Sequence, residues 1–299
     1  MYPVYTPIGK EVKCEERPVL FPPQHQHRQP GFESIMVPRP IAENPHYAAA
    51  GKLRGKTAII TGGDSGIGRA VAYAFAKEGA NVTIVYLDEH EDALETQRRV
   101  RDIGAGCLLA PGDVRSSAFA EEVVQRTLQT FGGVDILVNN AAYQPFQPTI
   151  ATLSDEQLET TFRTNMFAYV YFARAAVPFM KRGSAIINTA SIVAYAGNKD
   201  LLDYTATKGA NVAFTRSLAL QLVDAGIRVN AVAPGPVWTP LTVATFPAER
   251  MKEFGLQTPM KRAAQPYEIA PAYVYLASDD SSYVTGQTIH VNGGMAAGS

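Results

Sequence analysis

Charge is scarce and evenly balanced in this 299-residue chain. Charged residues make up 18%, below the ~25% usual for globular domains, which excludes a disordered polyelectrolyte and a solvated coiled coil. With 27 basic and 28 acidic residues the formal net charge is −1. There is no basic excess to release counterions from nucleic acid, so no nucleic-acid partner is expected. Low charge also points to surface buried in an oligomer, because charged residues are depleted from interface cores. Two cysteines, Cys14 and Cys107, are too few for a disulfide framework and read as thiols of a reducing compartment. No apolar run approaches 18 residues, so no membrane span is expected. The first residues, MYPVYTPIGKEVKCEERP, lack the charged region and apolar run of a signal peptide. A cytoplasmic protein without membrane contact is the expectation.

Composition breaks near residue 51. Residues 1–50 hold nine of the 20 prolines, three of the five histidines and only two of the 24 glycines. Proline removes ladder donors, and the segment reads as an extended arm, either disordered or laid along the body or a neighbouring subunit. His25 and His27 have no Cys or carboxylate cluster beside them. They read as solvated tail histidines, and no metal site is expected.

From Lys56 onward short β-branched runs (TAII, VTIV, ILVN, AIINT, IRVNAVA) alternate with helix-period segments such as Gly68–Glu78, Ala118–Phe131, Asp155–Met180 and Lys208–Asp224. The runs are apolar on both faces, as strands covered on both sides should be. TGQTIHVNGG near the end reads as one more strand. The pattern predicts an α/β fold: a doubly wound, Rossmann-type parallel sheet in three layers, one domain over 51–299 with an N-terminal arm over 1–50.

The strand TAII runs into Thr61-Gly62-Gly63-Asp64-Ser65-Gly66-Ile67-Gly68, and a helix follows. Such glycines permit a tight turn and close approach of backbone N–H groups to a pyrophosphate at a helix N-terminus. No Gly-Lys-Ser/Thr follows, so this is not a kinase-type phosphate loop.

A Tyr-x-x-x-Lys pair sets phenol and ammonium on one helical face. A cation beside the phenol favours phenolate, lowering its pKa from ~10 toward working pH, so that it exchanges protons with an alcohol or carbonyl oxygen. With 14 tyrosines and ten lysines, chance supplies ~0.5 such pairs, and the chain has three. Tyr73/Lys77 lies in the helix after the phosphate loop, where Tyr73 suits the sheet. Tyr195/Lys199 spans Gly197 and Asn198, which break a helix. Tyr204/Lys208 opens a clean helix 13 residues after the strand-terminal Ser191.

With its G-x-x-x-G-x-G spacing, residues 56–299 resemble the short-chain dehydrogenase/reductase family. The ordered markers are Thr61–Gly68, Asp113-Val114, Asn139-Asn140-Ala141-Ala142, Asn165, Ser191, Tyr204 with Lys208, and Pro234-Gly235. Ala142 stands where the family usually has glycine. Within the family the arm, Leu-Leu-Asp-Tyr and Gln-Thr-Pro-Met-Lys-Arg resemble bacterial members with an N-terminal extension, labelled glucose/ribitol-dehydrogenase-like or aldehyde reductases. The resemblance implies Tyr204 as acid or base, and Lys208 as the residue that holds the nicotinamide ribose and tunes Tyr204. It implies Ser191 as donor to the substrate oxygen, and Asn165 as the residue positioning a water that links Lys208 to solvent. Gly62, Asp64, Ser65, Gly66, Ile67 and Gly68 would cradle the cofactor, Asp113 and Val114 would contact adenine, and Asn139, Asn140 and Ala141 would line its ribose side. Pro234, Gly235, Val237 and Thr239 would complete the nicotinamide site.

An acidic residue at the end of the second strand binds the ribose 2′-OH and repels a 2′-phosphate. Here the strand end reads Tyr86-Leu87-Asp88-Glu89, with no Arg or Lys, and Asp64 of the phosphate loop and Asp88 would both disfavour a phosphate. NAD is the expected cofactor, with NADP as the alternative. Segment 236–263 has few strand signals and would be the substrate lid, with Trp238, Gln144 and Tyr195 beside Ser191 as substrate contacts. Small aldehydes, ketones, sugars and polyols all suit such a lining. A silent cofactor-sensing protein of the same fold is the alternative. The apolar faces of helix Lys208–Asp224 and the family's habit predict a homotetramer.

Overall fold

The computed structural model describes residues 10–12 and 16–295; Cys14 lies outside them. A short antiparallel pair, β1 (Lys10–Val12) and β2 (Glu16–Pro18), precedes the main body. The body then runs β3 (Thr57–Thr61), α1 (Gly66–Lys77), β4 (Asn81–Tyr86), α2 (His90–Ile103), β5 (Cys107–Pro111), α3 (Ser117–Phe131), β6 (Ile136–Asn139), α4 (Asp155–Phe162) and α5 (Ala168–Ala176). It continues β7 (Ala185–Thr189), α6 (Val193–Ala196), α7 (Leu202–Leu222), β8 (Arg228–Pro234), α8 (Pro240–Thr245), α9 (Pro266–Ala277) and β9 (Thr288–Val291). The last seven strands form one parallel sheet in the order β5-β4-β3-β6-β7-β8-β9.

Alternation along each strand sorts side chains between two cores. Ala58, Ile60, Val82 and Ile84 face α1, α2 and α9. Ile59, Val85 and Leu137 face α3, α5 and α7. Every residue of β3 and β7 is buried, as strands covered by helices on both faces require. The strand order reverses between β3 and β6, and a crevice opens there at the strands' carboxyl ends, where α/β sheets place ligands.

Two predicted helices are built differently. The segment Asp155–Met180 is α4, a π-helical turn over Arg163–Phe167, α5 and a short 3₁₀ turn at Val177–Phe179. The third pair's helix begins at Leu202, six residues earlier than predicted, so Tyr204 sits in its first turn.

The arm is not free. Phe21 is fully buried and stacks on Trp238 with ring centroids 3.8 Å apart; Met36 is buried in the same cluster with Val243, Phe246 and Phe254. The Trp238 indole N–H donates to the Pro38 carbonyl at 2.9 Å. His25 is not a solvated tail residue: its Nδ1 lies 2.9 Å from the Phe246 carbonyl oxygen, and its ring meets His27 edge-on. Apolar burial and otherwise unsatisfied carbonyls thus fix a segment whose composition alone gives no periodicity.

Candidate active site

Gly62 and Gly66 adopt φ of +63° and +52°, a left-handed conformation that L side chains rarely tolerate. At Gly68 an added Cβ would lie 1.8 Å from the Gly62 carbonyl oxygen, so only glycine lets α1 pack against its own loop. The Thr61 hydroxyl accepts the N–H groups of Asn140 and Ala141 at 2.8 and 3.0 Å, and Asn140 Nδ2 donates to the carbonyls of Thr61 and Gly62. These bonds lock the loops after β3 and β6 together.

Between them lies a cavity of about 240 Å³ lined by Gly62, Asp64, Ser65, Gly66, Ile67, Tyr86, Leu87, Asp113, Val114, Asn140 and Ala141. Glu89 and the arm residues Gln29, Pro30 and Gly31 also line it. A second cavity, of about 510 Å³, is lined by Ser191, Tyr204, Lys208, Gln144, Pro234, Gly235 and Val237. Ile67, Asn140, Ala142, Thr239 and Leu241 line both, so the two form one groove. A glycine cradle at a helix N-terminus, continuous with a hydroxyl-lined cavity, fits an elongated dinucleotide. Glu89 Oε1, buried without a hydrogen-bond partner beside this groove, is a natural acceptor for a ribose hydroxyl.

At the larger cavity Ser191 and Tyr204 both line the wall, and the Ser191 hydroxyl accepts the Val193 N–H at 3.3 Å. Lys208 is fully buried; its Nζ donates to the Thr189 carbonyl at 2.6 Å and to the Tyr169 hydroxyl at 3.4 Å, and lies 5.4 Å from the centre of the Tyr204 ring. Burial holds the lysine down at about 7. Burial pushes the Tyr204 phenol above its usual value, outweighing the opposing influence of the nearby Ser191 hydroxyl. The expected lowering of the phenol is therefore reversed in the cofactor-free chain. The ammonium lies over the ring, not beside the oxygen, and desolvation outweighs its charge. Tyr204 is held as the neutral phenol, the proton-donating form.

Asn165 sits in the π turn, a feature frequent at functional sites. Its side chain accepts the Tyr143 N–H at 2.7 Å and donates to the Tyr143 carbonyl at 2.8 Å and the Thr207 hydroxyl at 3.1 Å. It clamps the loop after β6 to α7, and its backbone carbonyl also faces α7, accepting from Asn211 Nδ2 at 3.1 Å.

Four further expectations are corrected. Trp238 is fully buried under the arm and does not reach the cavity, because Phe21 covers it. Tyr195 packs edge-on against His290, with centroids 4.6 Å apart, and leaves the cavity wall to the following Ala196, Gly197 and Asn198. Asn139 points into the sheet, donating to Asn188 Oδ1 at 2.9 Å, and leaves the groove to Asn140. Asp88 stands outside the wall and pairs with Arg28 of the arm. The other substrate candidate, Gln144, does line the larger cavity, its Oε1 accepting from the Thr245 hydroxyl. Sequence reasoning missed the arm's share of the wall, because nothing in a proline-rich segment marks which residues fold back.

Among the described residues no group of three or more His, Cys, Asp or Glu could hold a metal ion, and no helix is long and apolar enough to cross a membrane.

Residues 62–296 match a family model described as Enoyl-(Acyl carrier protein) reductase. The chain is 62% identical to the uncharacterized oxidoreductase YhxC of Bacillus subtilis, over 94% of this chain and 98% of that one. It is 54% identical to the glucose and ribitol dehydrogenase of Daucus carota (92% and 96% covered) and 51% to the NADPH-dependent aldehyde reductase 1, chloroplastic, of Arabidopsis thaliana (91% and 96%). A short-chain dehydrogenase from Burkholderia cenocepacia, solved in complex with NADP, superposes with a TM-score of 0.76 at 26% identity, covering 81% of this chain and 98% of that one. With that fold, the glycine cradle and identity sustained along almost its whole length, this chain belongs to the short-chain dehydrogenase/reductase family of oxidoreductases.

Proposed function

We propose that the enzyme interconverts a small alcohol and its aldehyde or ketone, sugars and polyols included, with NAD(P) as hydride carrier. The observation that carries this reading is that Ser191 and Tyr204 line the same 510 Å³ cavity together with the buried Lys208. When bound, the nicotinamide supplies or takes up the hydride. In reduction the Tyr204 O–H gives its proton to the substrate oxygen, and in oxidation the same oxygen takes the proton back. Ser191 donates to that oxygen as negative charge develops on it. Lys208 would hold the nicotinamide ribose, and an approaching anionic or hydroxyl partner favours its charged form. Asn165 acts as a positioning residue through Tyr143.

Phe246 and Phe254 give the substrate cavity an apolar wall, while Gln144, Asn198, Arg250 and Gln257 give it hydrogen-bonding groups. That mixture suits a small polyhydroxylated or aldehydic substrate, in keeping with the names of the carrot and Arabidopsis relatives. Residues 236–263 form the lid over it. NAD is the preferred dinucleotide and NADP the alternative, because Asp64 and Glu89 line the groove where a 2′-phosphate would lie, with Asp88 just outside it. Exposed Leu220 and Val223 at the end of α7 and exposed Phe167 and Phe179 around α5 support a homotetramer. A buried free Cys107 is consistent with a cytoplasmic location.

A panel of aldehydes, ketones, sugars and polyols assayed with both cofactors tests the activity. Absence of turnover with every member, despite dinucleotide binding, would favour a cofactor-sensing protein. Light scattering at micromolar concentration tests the assembly, and a monomer refutes it.

A further inference from the structure

The end of β4 carries no basic residue in sequence, yet the fold brings one there. Arg28, from the arm, forms an ion pair with Asp88, and its Nη2 lies 3.7 Å from the buried Glu89 Oε1. Its Nε donates to the Pro30 carbonyl at 2.9 Å, and its guanidinium carbon lies 4.3 Å from the centre of the Phe32 ring. The planar head is thus held in place from three sides, and the side chain keeps 39% exposure. The next residues of the arm, Gln29, Pro30 and Gly31, line the groove opposite Tyr86, Leu87 and Glu89.

Glu89 is used at one oxygen only. Its Oε2 accepts the Leu87 and Asp88 N–H groups at 3.2 Å, while Oε1 has no hydrogen-bond partner. The β4 end therefore holds a buried acceptor suited to a ribose hydroxyl and, from the arm, a forked donor suited to a phosphate. Arg115, the arginine that lines this cavity, has its Nε and Nη2 engaged by Asp113 at 2.7–3.0 Å, whereas Arg28 stands at its edge, next to the lining residues Gln29, Pro30 and Gly31.

We propose that Arg28 is a cofactor-discriminating residue supplied by the arm: its guanidinium neutralises Asp88 and Glu89 and takes the 2′-phosphate of NADP(H), so that a carboxylate-rich site accepts both dinucleotides. This rests on the groove's being the dinucleotide site. Without Arg28, the negative charge of Glu89 and of the adjacent Asp88 is left unopposed beside the phosphate; with NAD(H), Glu89 alone serves the ribose. The arm then sets cofactor range and is not merely a brace.

The test is fluorescence titration of the full-length protein with NADH and NADPH, with 2′,5′-ADP and 5′-ADP as competitors. Arg28→Ala is expected to raise the ratio of the NADPH to the NADH dissociation constant about 10- to 100-fold, the range of a lost charge-assisted bond. Arg28→Lys should fall between it and wild type, because charge survives and the fork does not. Asp88→Asn, which frees the guanidinium, should lower the ratio about threefold or more. Equal shifts for both dinucleotides in Arg28→Ala would mark a purely structural arm contact and overturn the assignment. So would an unchanged ratio, or a ratio moved by Arg115→Ala instead. Wild-type protein that binds neither dinucleotide would overturn the reading of the groove itself, and this proposal with it.

Discussion

At one end of the groove Tyr204, Ser191, Lys208, Thr189, Tyr169 and Tyr273 form a buried cluster of hydroxyls around a single lysine, with no carboxylate among them. At the other, Glu33, Asp64, Asp88, Glu89 and Asp92 are interleaved with Arg28 and Arg69. Burial acts on the first cluster by suppressing charge: the phenol is raised and the lysine lowered to about 7. In the second, burial also raises Glu33, Asp64 and Glu89, but arginines are packed against the carboxylates. Glu33 accepts the Gly66 N–H at 2.7 Å at the start of α1 and Arg69 Nη1 at 2.8 Å, while Asp92 accepts the backbone N–H groups of Glu33 and Ser34. The contrast separates a site where a proton must move from a scaffold where charge must stay still.

The largest expected effect breaks the first end alone. Tyr204→Phe removes the transferable proton and keeps the ring, so turnover should fall 10²–10⁴-fold, the usual worth of a positioned acid or base, while dinucleotide binding persists. Steady-state kinetics beside a fluorescence titration checks this; wild-type turnover would sink the role of Tyr204. Lys208→Met should also lose turnover, yet gain stability. The lysine's folded value of about 7 is below its unfolded 10.5. The unfolded chain therefore binds the extra proton between those values, and the folding cost of Lys208 is largest below pH 7 and fades toward pH 10. The gain in Tm for the variant should be greater at pH 6 than at pH 9.

The second end should break in the opposite sense. Glu33→Ala leaves Arg69 buried beside Asp92 with one partner fewer and uncaps the Gly66 N–H. About 3 kcal/mol of stability should be lost, a Tm drop of roughly 6–12 °C, with turnover per folded molecule little changed. Calorimetry with active-site titration separates the two, and a normal Tm with reduced turnover would erase the contrast between the ends.

Legibility follows the same division. Tyr204 and Lys208 lie four apart on one helix, and Ser191 follows two residues after a strand whose apolar run marks it, so local pattern suffices. The parallel sheet is readable for the same reason, since its central strands β3, β6 and β7 are buried on both faces. The polar end is joined over long separations: Glu33 to Arg69 across 36 residues, Arg28 to Asp88 across 60. No periodicity connects such residues, and the arm's prolines hide that it folds at all. Trp238 was misplaced by the same blindness, because its cover, Phe21, lies 217 positions upstream. The phenol's shift was misjudged because i,i+4 spacing gives proximity but not depth, and depth decided the sign.

The smallest effect lies where the two ends meet, at Asp64. Burial, and then the charge of Glu89, push its carboxyl up to about 7, and it lines the groove. A dinucleotide brings negative charge, which favours the protonated carboxyl further. Affinity should therefore be highest below pH 7 and fall as pH rises through that value, by about 1 kcal/mol or roughly fivefold. Asp64→Asn, neutral throughout, should flatten that step in NADH titrations from pH 6 to 9. The same group gives an independent reading without cofactor. Its folded value is above the unfolded 3.8, so its contribution to stability is complete below about pH 4 and is lost as pH climbs to 7. The variant should therefore stabilise the protein more at pH 8 than at pH 5. A pH step that survives in Asp64→Asn would assign the titration to Glu89, and the line between mobile-proton and fixed-charge ends would have to be redrawn one residue pair further along the groove.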